Sequence, residues 1–217
     1  MTLAEDRCRL VLIVPDHEDD QWLADTLSHA LRGGDVASVI LPQYELSDQA
    51  FQKRAEQLVP IIQDAGSAAL IAGDSRVAGR ARADGLHLTG SIEELAEAIE
   101  KFSPKLIVGA GQAADRHTAL EVGEARPDYI FFGKLSGDIK PEAHPKNLAL
   151  GEWWASLVEI PCVVMGGTDL SSALAVAETG AEFVALRSAV FDSPAGAAAA
   201  VAEINAILDE KAPRFGA

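Results

Sequence analysis

The residues of this chain that could do chemistry gather at the ends of short apolar runs. The run Cys162–Met165 ends in Gly166-Gly167, and the next such run, Phe183–Leu186, ends in Arg187-Ser188. Two neighbouring strand ends that present bare or small-side-chain backbone at one rim, each ahead of a helix, are how a β/α barrel holds a phosphate. The expected chemistry is anion binding through backbone donors at Gly166, Gly167, Arg187 and Ser188. Ser188 and its N–H lead that set, because the Arg187 side chain has the alternative of pairing with a carboxylate. The glycine pair has a second reading as turn chemistry, since glycine permits positive φ and close backbone approach.

The other strand ends, taken in order, give Asp16 and His17, Pro42 and Gln43, Gly73 and Asp74, His87 and Thr89, then Gly109–Gln112. Lys134 follows, with Lys140 in the loop beyond it. Asp74 and Asp16 could each hold Mg²⁺, a hard cation that takes oxygen ligands, or cap the next helix, as Asp does well. His87 lies within Gly85-Leu86-His87-Leu88, so it is either a catalytic group or a core histidine bonded to a neighbouring strand. Lys134 directly follows the apolar stretch Tyr129–Gly133. Near a barrel mouth such a lysine neutralises phosphate, or moves a proton once its pKa falls; otherwise it faces solvent. The catalytic candidates are therefore Lys134, Asp74 and His87, and Lys140 is a candidate anion contact from its loop. Cys8 and Cys162 are far apart and form no CxxC motif; Cys162, inside an apolar run, reads as a buried inert thiol.

These residues need elements to hold them. Strand-like runs fall at Leu10–Val14, Ser38–Leu41, Ala69–Ala72, Gly85–Leu88, Leu106–Ala110, Tyr129–Gly133, Cys162–Met165 and Phe183–Leu186. They are short and continuously apolar, as strands buried on both faces of a parallel sheet should be. Helix-length stretches separate them, at Asp19–Leu31, Ser47–Ala65, Ser75–Ala83, Ser91–Phe102, Ala113–Gly123, Leu148–Val158, Ser171–Thr179 and Pro194–Leu208. Ser91 ahead of Glu94 fits a capping box, and Ser47 and Asp169 fit N-caps. The alternation predicts an α/β fold over residues 1–217, a single-domain (β/α)₈ TIM barrel, with a doubly wound open sheet as the competing topology. The longest irregular stretch, Lys134–Asn147, follows the sixth strand at the same rim and reads as a lid or binding loop.

With 217 residues, 48% of them hydrophobic, the chain can bury a large core. Its net charge of −15 argues against nucleic-acid binding, which needs a basic footprint. No apolar stretch approaches the roughly 20 residues needed to span a bilayer, and Met1–Leu10 has no signal-peptide core. A cytoplasmic, soluble protein is the expectation. A homodimer is left open, because no surface helix carries an apolar stripe that argues for one.

Four segments together resemble the thiamine-phosphate synthase and thiazole tautomerase superfamily of small barrels, over nearly the whole chain. ADGLHLTG at 83–90 looks like that family's ADGIHIGQ, and Tyr129–Gly133 is similar to its DYVGLGP strand. Ile160–Gly167 looks like IPVVAIGG, and Gly180–Phe191 like GADGVAVISAIF. The resemblance implies a phosphate site at Gly166, Gly167, Arg187 and Ser188 that takes a phosphorylated thiazole. It also implies a place in thiamine biosynthesis and a reaction joining that thiazole to a pyrimidine diphosphate with loss of pyrophosphate, assisted by Mg²⁺. The chain departs from the pattern where pyrophosphate and metal are handled. Val39-Ile40-Leu41-Pro42-Gln43-Tyr44 lacks the family's Gln-x-Arg-x-Lys, and Ala72-Gly73-Asp74 keeps only the last acid of Asn-Asp-Asp. Gly90 replaces a Gln, and Gly109 and Gly111 replace a Ser and a His. The alternatives implied are a thiazole tautomerase using Lys134, and a phosphate-ligand sensor without turnover.

Overall fold

The computed structural model describes residues 6–111 and 113–216, so Gln112 of the strand-end set lies outside the described residues. The strands are β1 (Arg9–Ile13), β2 (Ser38–Pro42), β3 (Ala68–Ala72), β4 (Gly85–Leu88), β5 (Ile107–Ala110), β6 (Tyr129–Phe132), β7 (Cys162–Met165) and β8 (Phe183–Leu186). All neighbours pair in parallel and in chain order. β1 pairs with both β2, through Val11 opposite Ser38, and β8, through Val11 opposite Ala185, which closes a barrel. That closure excludes the open doubly wound sheet.

Helices cover the outside: α1 (Asp20–Leu31), α2 (Asp48–Asp64), α3 (Ser75–Ala81), α4 (Ile92–Phe102), α5 (Arg116–Glu124), α6 (Pro145–Ala155), α7 (Ser172–Ala177), α8 (Ser188–Phe191) and α9 (Ala197–Lys211). Because side chains alternate across a strand, each strand feeds two cores. Val11, Ile13, Ile40, Leu70, Tyr129, Phe131, Val163, Met165 and Ala185 fill the barrel. The intervening Leu10, Leu12, Val39, Leu41, Ile71, Val164 and Leu186 pack outward under the helices. A strand buried on both sides has no polar face, which is why these runs read as continuous rather than alternating apolar sequence.

The amino-terminal rim repeats one device. Asp84, just before β4, accepts the backbone N–H of Ala69 on β3 at 2.7 Å. Asp128, just before β6, accepts that of Val108 on β5 at 2.7 Å, and Glu182, just before β8, that of Cys162 on β7 at 2.8 Å. Asp35, ahead of β2, reaches β1 instead through the Arg9 guanidinium, at 2.7 Å. An acid before each even-numbered strand thus ties down the odd-numbered strand before it. These N–H groups at the strand starts would otherwise sit half-buried without an acceptor.

Several element boundaries differ from the sequence reading, those of α6, α7 and the helices after β8 among them. α6 begins at Pro145 rather than Leu148, with the His144 ring Nδ1 accepting the Lys146 N–H at 3.1 Å. Proline at the first helical position loses no bond the helix would have made, so Pro145 starts a helix here rather than prolonging the loop. Asp169 makes a short turn onto Ser171 N–H, 2.8 Å, while α7 starts only at Ser172. The short α8 sits directly after β8, ahead of the long α9. The Ser91 capping box is present, with Ser91 Oγ accepting Glu94 N–H and Glu94 accepting Ser91 N–H.

The strand-end acids generate a stability prediction. Asp84→Ala leaves the Ala69 N–H without its acceptor, which costs roughly 1–3 kcal/mol, whereas Asp84→Asn keeps an acceptor oxygen and loses less. Urea unfolding of both variants decides it: equal losses in the two would show that the side-chain acceptor does not hold this strand end.

Candidate functional site

Each carboxyl-terminal strand end spends its backbone donors in an identifiable way. After β7, Gly166 N–H continues the ladder to Ala185 O, 2.9 Å. Gly167 N–H donates to Ser172 Oγ at 2.9 Å, and that hydroxyl donates onward to Asp169 O at 2.7 Å. The next two donors go to the loop after β6: Thr168 N–H to Lys140 O, 2.8 Å, and Asp169 N–H to Pro141 O, 3.1 Å. A Cβ on Gly167 would come within 2.1 Å of Pro141 O, so this glycine is bare because the loop crosses directly over it.

After β8, two kinds of donor converge on one side chain. Arg187 Nε and Nη2 donate to Asp138 Oδ1 at 2.9 and 2.6 Å, and Ser188 N–H donates to Asp138 Oδ2 at 2.8 Å. Asp138 comes from the middle of the β6–α6 loop, and its side chain is fully buried. Of the two options open to Arg187, pairing with a carboxylate is the one adopted. Burial works against the charged guanidinium, but Asp138 and then Tyr44 outweigh it, and the Arg187 pKa is raised.

Tyr44 completes this corner. It sits just beyond β2 with φ of 48°, a left-handed conformation uncommon for a side chain of this size. Its hydroxyl donates to Val14 O at 2.8 Å, above β1. Burial pushes its pKa up, and Arg187 partly offsets this. Arg187, Asp138 and Tyr44 therefore knit the strand ends of β8, β1 and β2 to the β6–α6 loop.

The loop leaves β6 at Gly133, whose φ of 133° suits glycine and whose missing Cβ avoids Met165 Cβ at 2.5 Å. Gly137 N–H then closes a turn on Lys134 O at 2.9 Å. The Lys134 and Lys140 side chains are exposed, and among the described residues neither forms an ion pair. Ile139, next to the buried Asp138, is 80% exposed.

The remaining candidates lie apart from this corner. Asp74 caps α3, accepting Arg76 N–H at 2.8 Å, and its carboxylate also takes the Arg76 guanidinium, which holds its pKa down. Asp16 is exposed, and the cap of α1 is Asp19. His17 stacks on Trp22 with ring centroids 4.1 Å apart, and Gln43 bonds Leu46 O and Asp48. Among the described residues no group of three His, Cys, Asp or Glu side chains could hold a metal ion. Mg²⁺ keeps several waters and needs only one or two carboxylates, and Asp74 at this rim is engaged by Arg76.

His87 lies inside the barrel, packed on Tyr129 and Phe131. Its Nδ1 is 2.7 Å from the Tyr129 hydroxyl, while its Nε2 is buried without a partner. Gly111 lies over that nitrogen, where a Cβ would come within 2.4 Å. Burial alone lowers the His87 pKa to about 4, so the imidazole is neutral near pH 7. Both cysteines are buried, and burial pushes the Cys8 thiol up to about 12 and raises Cys162 as well.

Asp138 and Tyr44 are absent from the sequence-derived candidates. The signal for Asp138 lay in two observations held separately, an irregular loop at the active rim and an arginine able to take a carboxylate. For Tyr44 the sequence offers no signal, since nothing in its neighbours announces a positive φ.

The chain matches known proteins over most of its length. The family model for thiamine monophosphate synthase matches residues 10–190. A thiamine-phosphate synthase of Rhodospirillum centenum is 36% identical over 205 residues, 93% of this chain and 98% of the relative. One from Hyphomonas neptunium is 34% identical over 212 residues, 95% of this chain and 96% of the relative. Among solved structures, a thiamine phosphate pyrophosphorylase from Pyrococcus furiosus superposes with a TM-score of 0.76 at 22% identity, covering 96% of this chain and 98% of that one. That last likeness bears on the fold.

The buried imidazole has a measurable consequence. As pH falls, the unfolded chain protonates its histidine near the ordinary 6.5, while folded His87 resists until about 4. Its contribution is therefore full above pH 6.5 and lost between 6.5 and about 4, on the order of 3 kcal/mol in all. His87→Gln should show a flatter stability profile than the native chain across that window. Parallel profiles in denaturant titrations at several pH values would mean that the imidazole is not held neutral.

Proposed function

The chain belongs to the thiamine monophosphate synthase family, and on that premise we propose that it binds a phosphorylated thiazole at the rim formed by β7 and β8. The observation that carries this reading is the convergence of Arg187 and Ser188 N–H on one pair of oxygens, which already take an anion there. Charge-assisted bonds of this kind are about twice as strong as neutral ones, and the planar guanidinium suits a phosphate as well as a carboxylate. Gly166 and Gly167 form the neighbouring wall, where the backbone can be approached closely.

The reaction that follows is transfer of a pyrimidinylmethyl group from its diphosphate to the thiazole. A bond forms between the thiazole ring nitrogen and the pyrimidine methylene carbon. The carbon–oxygen bond to the diphosphate breaks, and pyrophosphate leaves with the electron pair. The exposed Lys134 and Lys140, on the loop above the same rim, are the cations this chain offers to that leaving group. His87, neutral and buried, offers one unspent hydrogen-bonding nitrogen beneath Gly111. Asp74 is engaged by Arg76, and no step is assigned to it.

A second reading, ligand binding without turnover, is favoured by one observation: the anion position is filled by the chain's own Asp138 beneath a loop that is bonded down. Calorimetric titration with hydroxyethylthiazole phosphate, followed by addition of the pyrimidine diphosphate with Mg²⁺ and assay for thiamine phosphate, separates the two. Stoichiometric binding with product supports the transferase. Binding without product supports the sensor, and absence of binding overturns the thiazole-phosphate assignment.

A further inference from the structure

Asp138 is a carboxylate with no exposed surface, on a loop whose next residue, Ile139, is 80% exposed. Loop carboxylates ordinarily face water, and burying one costs several kcal/mol unless it is fully paired. Here it is paired at both oxygens, Oδ1 by the Arg187 guanidinium and Oδ2 by the Ser188 N–H. The same loop lays Lys140 O and Pro141 O on the Thr168 and Asp169 N–H groups, at 2.8 and 3.1 Å. One segment thus occupies donors at two adjacent strand ends at once.

We propose that Asp138 is an intramolecular anion that keeps the β6–α6 loop latched over the β7–β8 rim, and that the site opens when a phosphate takes its place on Arg187 and Ser188. This rests on the phosphate reading above and deepens it. Displacing Asp138 frees the loop, and lifting the loop releases the Thr168 and Asp169 N–H groups beside the incoming anion. A phosphate, with three terminal oxygens, can use the added donors. A ligand carboxylate, with two, gains nothing that Asp138 does not already supply. The latch therefore selects phosphate esters over carboxylates of similar charge.

The test is Asp138→Asn, which keeps the shape and removes the charge. Amide hydrogen exchange at Thr168 and Asp169 without ligand should accelerate by about tenfold or more, since a charge-assisted contact is lost. Inorganic phosphate should bind this variant more tightly than the native chain by a similar factor, and acetate should not bind the native chain. Unchanged exchange overturns the latch, whatever phosphate does. Faster exchange with no phosphate binding to either protein leaves the latch standing and removes the phosphate reading instead. Should Asp138→Asn fail to fold, a spin label on Ile139→Cys reports on the otherwise native loop, because Cys8 and Cys162 are buried and escape labelling. Phosphate should then mobilise the label; a label unmoved by bound phosphate overturns the proposal.

Discussion

A closed parallel barrel leaves backbone donors at both rims that its own ladder cannot satisfy, and the molecule is organised around that surplus. At the amino-terminal rim the surplus is absorbed by side chains: Asp84, Asp128 and Glu182 each accept an N–H at the start of the preceding strand, from its first or second residue. At the opposite rim no such fixed acids stand. There the donors after β7 and β8 are met by a hydroxyl, two loop carbonyls and one loop carboxylate. Acceptors carried on a connecting loop can be exchanged for others, whereas acceptors inside the barrel's foundations cannot. The same hydrogen-bonding demand therefore makes one rim structural and leaves the other available for a ligand.

The Arg187–Asp138 pair shows what this exchangeability requires. The fully buried partner here is the Asp138 carboxylate, which cannot be left alone at the end of β8, because an uncompensated buried charge is far more costly than a paired one. Arg187 and the Ser188 N–H meet it there. Tyr44, held in an uncommon backbone conformation to reach Val14 O beside this pair, adds a polar wall on the β1–β2 side. The corner is built to hold negative charge, and its electrostatics serve a carboxylate or a phosphate equally.

The barrel was legible because its signals are local. Runs such as Cys162–Met165 and Phe183–Leu186 are apolar on both faces, and their limits in the structure are those read from the sequence. Asp74 was legible as two alternatives, since a capping acid and a metal ligand look alike in sequence; its Arg76 partner two residues away decides between the contacts actually made. Asp138 was not legible, because its partner lies 49 residues away and no spacing rule links a loop acid to a strand end. Pro145 misled for a simpler reason: a proline that starts a helix and one that ends a loop are the same residue in the same place.

The acids at the amino-terminal rim give the barrel a grain. Asp84 ties β4 to β3, Asp128 ties β6 to β5, Glu182 ties β8 to β7, and Asp35 ties β2 to β1 through Arg9. The alternate junctions at this rim are tied by backbone instead: Ala68 N–H bonds Ala37 O, Ile107 N–H bonds Asp84 O, Ile130 N–H bonds Pro161 O, and Arg9 N–H bonds Glu182 O. The Arg187–Asp138 bond spans the other rim, from the end of β8 past β7 to the loop leaving β6. The ties at the base all join adjacent strands, whereas this one skips a strand, so a ligand that releases it loosens the mouth and leaves every ladder intact.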